Sequence, residues 1–230
     1  LVFTTAILNA IVAIYIYSLV PEFLLRFITW IAVNTIYRMK VGDLEKIPDD
    51  GPALLVCNHL SYADALVIGG SIHRPTRFVM YHKIFRWPVL NYLFRTARAI
   101  PIAPAKEDPH LLEVAYQRIA EELRNGEVVC IFPEGRLSHD GEVAEFERGV
   151  EKIVAETPVP VVPMGLQGLW GSFFSRSDGG VMRGPMRKLF GRITLNVGDA
   201  IAPQDVNAER LRQRVLELIA PENSDRPDRQ

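Results

Sequence analysis

The sequence predicts an α/β fold: a mostly parallel sheet with helical crossovers, preceded by N-terminal apolar helices. Three observations carry this expectation. Short apolar runs rich in Val, Ile and Leu recur along the chain with helix-period segments between them, the pattern of strands buried on both faces. Two polar strings, Asn58-His59-Leu60-Ser61-Tyr62-Ala63-Asp64 and Phe132-Pro133-Glu134-Gly135-Arg136-Leu137-Ser138, each begin where such a run ends. Before all of these, Leu1–Pro21 contains no charged residue.

That first run reads as a candidate spanning helix, diluted by Thr4, Thr5, Asn9 and Ser18. At 1.5 Å per residue, about twenty helical residues cross a hydrocarbon core of roughly 30 Å. A secretory signal fits less well, because no basic segment precedes the run and no small-x-small cleavage pattern follows it. Glu22–Arg38 continues as an apolar helix with sparse charges, suited to an interface. Residues 1–40 are therefore expected to be membrane-anchoring or interfacial helices, 41–220 an α/β domain and 221–230 a disordered tail. The chain opens on Leu rather than Met and is expected to belong to something longer.

Within the α/β domain, strands are expected near 53–57, 76–80, 99–103, 128–132, 159–165 and 192–198. The clearest helix runs from Pro109 to Asn125. Asp108 supplies an N-cap with Pro at the first helical position. Leu111, Ala115, Ile119 and Leu123 keep one face apolar, and Gly126 ends the helix. The Gly-, Ser- and Phe-rich stretch Gly165–Gly191 reads as a long loop, a lid or membrane contact. A last helix is expected near Asn207–Ala220.

Composition narrows the function. A 48% hydrophobic content and mean hydropathy of +0.09 support a full core, and a net charge of −1 argues against a general polyanion binder. Cys57 and Cys130 lie in apolar strand runs with no metal-ligand spacing, so no metal site is expected and a reducing compartment is. Charge is unevenly spread: no acid falls between Ala65 and Lys106, where Arg74, Arg77, Lys83, Arg86, Arg95, Arg98 and Lys106 alternate with aromatic residues. A second basic stretch spans Arg176–Arg192. A solvated face, a nucleic-acid surface and an anionic-lipid surface all suit such a pattern. No nucleic-acid motif accompanies it, and the lipid surface is favoured.

In an open α/β sheet, side chains just past the carboxyl ends of strands converge on the ligand crevice. Each string also has an ordinary structural account: a His and an Asp at a helix start, and a strand exit with a surface ion pair. Their occurrence together at corresponding strand ends favours a site. Followed by Val159-Pro160-Val161-Val162-Pro163-Met164, they resemble the glycerolipid acyltransferase family, in order and spacing, from about Lys46 to Pro203.

The resemblance implies acyl transfer from acyl-CoA or acyl carrier protein to a hydroxyl of a lysophospholipid, with no resident cofactor. The acceptor would be of the 1-acylglycerol-3-phosphate or the 2-acyl-glycerophosphoethanolamine type. The residues suit that chemistry. Neutral imidazole is a natural proton acceptor for a glycerol hydroxyl, making His59 the base. Asp64 would hold its tautomer and stabilise the imidazolium, as in a Ser-His-Asp triad. Ser61 lacks a nucleophile-elbow context and is grouped with Asn58 as substrate-binding. Arg136 offers a planar fork for phosphate, Gly135 backbone N–H groups, and Glu134 a carboxylate to orient Arg136 or accept from the acceptor hydroxyl.

The family's second motif departs here: aligning on Ala99-Ile100-Pro101-Ile102 puts Arg98 where Gly is usual and Pro104 where Arg is usual. Lys106 or Arg98 would replace that charge, and Lys83 is a further candidate. The Ile-Pro-Ile-x-Pro-x-Lys variant resembles the branch that reacylates 2-acyl-glycerophosphoethanolamine, including forms fused behind a major facilitator transporter. A fused or associated transporter is thus an expected partner besides membrane lipids, with the active site on the cytoplasmic face. Two other readings stand beside this one: a catalytically silent lipid-binding or docking module attached to a transporter, and a soluble thioester hydrolase.

Overall fold

The computed structural model describes residues 2–19, 21–172, 174–175 and 191–220. The expected tail 221–230 and the larger part of the second basic stretch, 176–190, lie outside the described residues.

Seven described strands form one sheet: β1 (Arg38–Gly42), β2 (Ala53–Cys57), β3 (Thr76–Tyr81), β4 (Ile100–Ile102), β5 (Val128–Ile131), β6 (Val161–Gln167) and β7 (Arg192–Val197). Their order is β1-β7-β6-β2-β5-β3-β4. Every neighbouring pair is parallel except β6 and β7. β1 was not among the expected strands, because it is not a continuous apolar run. It alternates Arg38 and Lys40 with Met39 and Val41, the period-2 pattern of an edge strand with one face packed.

β2 lies near the middle and shows why it had to be apolar on both sides: all five of its residues are buried. Leu55 and Cys57 face one core with Val67 and Ile68 of helix α3 (Asp64–Ser71). Leu54 and Val56 face the other. There they meet Ala115, Ile119 and Leu123 of α5 (Pro109–Arg124), Ile153 of α6 (Gly149–Glu156) and Leu211 of α7 (Ala208–Ile219). The result is three layers, helices on both faces of a sheet. Asp108 caps α5 by accepting from the N–H of Leu111 at 2.9 Å, and Asn207 caps α7 through the N–H groups of Glu209 and Arg210.

The chain begins with two helices, α1 (Val2–Leu19) and α2 (Pro21–Ile36). No single described helix is long and apolar enough to cross a membrane. The two together form such a pair, bent by 108° between Val2–Ile16 and Pro21–Ile36. Pro21 begins the second helix, where its missing N–H is tolerated. α2 packs on α3, where Gly70 lets Val33 approach so closely that a Cβ would lie 3.0 Å from it. The guanidinium of Arg26 donates to the carbonyl of Ile72 beyond the end of α3.

The basic run 74–106 is not one surface. Arg74 donates to the carbonyls of Pro48, Gly51 and Gly126. Arg77, only 2% exposed, pairs with Glu22 of α2 and with Glu122 and Glu127. A buried guanidinium must be paired, so this half of the run serves internal partners instead of lipid.

Candidate active site

Register brings the two strings together. β2 pairs with β5 so that Val56 stands opposite Ile131. Three residues further on, His59 and Glu134 are therefore at the same height beyond the sheet. The N–H of His59 donates to Oε1 of Glu134 at 2.8 Å, and the carbonyl of His59 accepts from the N–H of Ser138 at 2.9 Å. The second string thus holds both main-chain groups of the residue expected to be the base.

Asp64 opens α3, where the helix dipole favours a carboxylate. Its Oδ2 lies 2.7 Å from Nδ1 of His59 and also accepts from the N–H groups of Leu60 at 2.7 Å and Ser61 at 2.9 Å. Asp64 is fully buried, whereas the imidazole is 22% exposed. An acceptor fixed at Nδ1 sets the tautomer with its hydrogen there and leaves Nε2 open. The ring of Phe132 stacks on the imidazole at 4.2 Å between centroids and 16° between planes, so the ring is packed as well as hydrogen-bonded.

Asn58 is buried with both ends of its amide engaged by β6: Nδ2 donates to the carbonyl of Leu166 at 2.9 Å, and Oδ1 accepts from its N–H at 2.8 Å. Ser61 is buried too; its hydroxyl accepts from the N–H of Ala63, and its main chain bridges to Ser175. Both oxygens of Glu134 accept from main chain, Oε1 from His59 and Oε2 from Ala144 at 3.0 Å. Burial raises the Glu134 pKa, and the N–H bonds from Ala144 and His59 oppose that rise. These three side chains hold the loops; their observed partners are protein groups.

Gly135 takes a left-handed backbone, φ +63°, and turns the chain so that Arg136 is exposed while Leu137 is buried. Arg136 and Lys106 have no hydrogen bond or ion pair among the described residues. Both follow carboxyl ends of strands, β5 and β4, on the side of the sheet where His59 lies. Lys83, by contrast, pairs with Glu107 at 2.7 Å, a carboxylate that also accepts from the Tyr81 hydroxyl and contacts His82. Those contacts hold Glu107 down to about 2.

Arg98 precedes β4 and so stands at the opposite, amino end of the strands. There it pairs with Glu122 at 3.0 Å and joins the Arg77 network. The structure does not bring Arg98 to His59. The stacking ring of Phe132, the anchor Ser138 and the distant acceptor Leu166 were missed as contributors. Phe132 and Ser138 were legible as members of the second string, but Leu166 had no local signal.

Comparison with known proteins bears on this arrangement. The chain is 30% identical over 158 residues to a chloroplastic 1-acyl-sn-glycerol-3-phosphate acyltransferase of Arabidopsis thaliana, 68% of this chain and 44% of that one. It is 29% identical over 115 residues to the lyso-ornithine lipid O-acyltransferase of Pseudomonas aeruginosa, 50% of this chain and 43% of that one. The chain thus spans less than half the length of these relatives. The crystal structure of the 1-acyl-sn-glycerophosphate acyltransferase PlsC of Thermotoga maritima superposes with a TM-score of 0.68 at 24% identity, over 86% of this chain and 76% of that one, and shares its fold. Residues 38–167, more than half of the chain and including both strings, match the Acyltransferase family, and the chain belongs to that family.

Proposed function

We propose that the protein transfers a fatty acyl group from a thioester, acyl-CoA or acyl carrier protein, to the free hydroxyl of a lysophosphatidate-type acceptor at a membrane. The observation that carries this reading is the 2.7 Å contact of His59 Nδ1 with buried Asp64, which leaves Nε2 open on the side where Arg136 is unpaired. The relatives' names point to the same acceptor class.

In the reaction, Nε2 of neutral His59 takes the acceptor's hydroxyl proton as the oxygen attacks the thioester carbonyl. The tetrahedral intermediate collapses with cleavage of the C–S bond, and the imidazolium returns its proton to the departing thiolate. Asp64 stabilises the imidazolium while it exists. Arg136 and Lys106 hold the phosphate. β4 lies three strand spacings of about 4.8 Å from β2, so Lys106 reaches the outer end of the crevice and Arg136 the nearer part. Asn58, Ser61, Glu134 and Gly135 fix the loops that carry these groups. The uncovered apolar surfaces of α1 and α2 hold the protein to the bilayer, from which the acceptor enters.

The test is an assay of acyl transfer from acyl-CoA to a panel of lysophospholipids, with wild type and His59→Ala. Transfer to lysophosphatidate that falls about 10²–10⁴-fold in the variant supports the reading. Transfer only to 2-acyl-glycerophosphoethanolamine would reassign the headgroup, and a folded variant retaining a tenth of the rate would remove His59 as base.

A further inference from the structure

Helix α4 (Pro88–Thr96) is anomalous in this fold. Helices α3, α5, α6 and α7 each bury at least three residues against the sheet. Among the described side chains of α4, not one is buried. Yet the helix carries Leu90, Tyr92, Leu93 and Phe94, and Trp87 leads into it. Trp87 is 70% exposed and Tyr92 68%. Large side chains such as Trp87 and Tyr92 left in water forgo the burial that stabilises helices in proteins.

The helix is nonetheless held in place. Phe94 packs against Phe85 of the preceding turn, with ring centroids 5.3 Å apart, and Pro88 starts the helix at its first position.

We infer that α4, with Arg86 and Trp87 at its entry, is a second bilayer contact that lies in the headgroup region of an anionic membrane surface. Three observations select lipid as the occupant. The segment from Ala65 to Lys106 contains no acid, and Arg86 and Arg95 are both exposed at α4, which complements anionic headgroups. Trp87 and Tyr92 are the residue types that settle at the interface with an apolar body and a polar edge. The third observation is continuity. α4 lies beside α2, whose Phe23, Phe27, Trp30 and Ile31 form an uncovered stripe at i, i+4, i+7 and i+8.

The position of α4 gives the contact a use. β3 runs into His82–Arg86 and then α4, so the helix begins at the carboxyl end of the sheet, on the side of the His59 crevice. α2 packs on α3, so α1 and α2 alone would hold the protein to a membrane from the α3 side. A second contact at α4 would set the tilt of the domain, turning the crevice towards the layer that holds lysophospholipid. This deepens the membrane reading above, and its test requires no turnover.

The experiment places the full chain with Trp30→Phe and Trp170→Phe, leaving Trp87 as the sole tryptophan, on phosphatidylcholine vesicles with and without phosphatidylglycerol. Some of the phosphatidylcholine is brominated at shallow or deep acyl positions. Trp87 emission should shift to the blue, be quenched at least twofold more by shallow than by deep bromine, and lose accessibility to aqueous iodide. Arg86→Gln with Arg95→Gln should reduce that quenching on anionic vesicles and leave it unchanged on neutral ones.

A vesicle-bound protein whose Trp87 stays open to iodide and unquenched by lipid overturns the inference. So does a blue shift that appears without vesicles as protein concentration rises, which would assign the face to a second copy. Should the double Trp variant fail to fold, the difference in quenching between wild type and Trp87→Phe gives the same reading. Acyl transfer measured separately in detergent micelles distinguishes failure of this contact from failure of the proposed reaction.

Discussion

Oδ2 of Asp64 lies 2.7 Å from Nδ1 of His59 while accepting from the N–H groups of Leu60 and Ser61. One oxygen therefore ties the imidazole to the same turn that carries it. Because α3 begins at Asp64, His59 and Asp64 sit on a single stretch of six residues and are not separated by movement between elements.

Asp64→Asn keeps an oxygen able to accept from all three donors but removes the charge that, in the proposed reaction, stabilises imidazolium. The expected outcome is a kcat lower by about 10²–10⁴-fold with acceptor KM nearly unchanged. Steady-state kinetics with varied lysophosphatidate checks this; a rate within tenfold of wild type would refute the dyad.

Glu134→Gln is not conservative. An amide has one accepting oxygen, whereas Glu134 accepts from both His59 and Ala144. One N–H would then face an NH₂ group in a buried site, at a cost of about 1–3 kcal/mol. Burial raises the Glu134 pKa, so the group favours the fold most when protonated. Its contribution is complete below the unfolded value of about 4.3 and declines as pH rises through the folded one. The gap in Tm between wild type and the Gln variant should therefore be widest near pH 4 and narrow at higher pH, as read by thermal melts.

Arg136 and Arg98 should separate binding from stability. Arg136→Ala removes an unpaired guanidinium beside the crevice and should raise acceptor KM about 10- to 100-fold. Arg98→Ala removes a partner of buried Glu122 at the other end of the sheet and should lower Tm while leaving that KM unchanged. Equal effects on KM would show that the phosphate does not bind at the carboxyl end.

Glu107 should titrate at about 2, held there first by Lys83 and then by the hydroxyl of Tyr81 and by His82. Lys83→Ala should return it towards the ordinary carboxylate range, measurable by NMR titration of the side-chain carboxyl. Since the folded value is depressed, the stability it brings is present above about 4.3 and lost as pH falls towards 2.

The buried strands β2, β5 and β6 were legible because continuous apolar runs have few other uses, and α5 because its cap, Pro and apolar face agree. The site was legible to the extent that it lay in two local strings. The internal role of Arg74, Arg77 and Arg98 was not, because their partners come from distant segments, such as Gly126, Glu22 and Glu122. A run of cations looks the same in sequence whether it meets lipid or carbonyl oxygen. The reversal of β7 against β6 was equally hidden: antiparallel and parallel strands differ in their partners more than in their own residues.

Asn58 has a consequence of a different kind. Its amide exchanges two hydrogen bonds with Leu166, as the main chain of an antiparallel neighbour would. The ladder between β2 and β6 is thus continued for one more rung by a side chain, after the main chain has been released to turn away. That substitution lets the backbone leave the plane of the sheet one residue early and carry His59 over the crevice without leaving the edge of β6 bare. It also closes the position to Asp: a carboxylate matches Asn in shape, but it would set a negative oxygen against the carbonyl of Leu166 and have no proton to offer it.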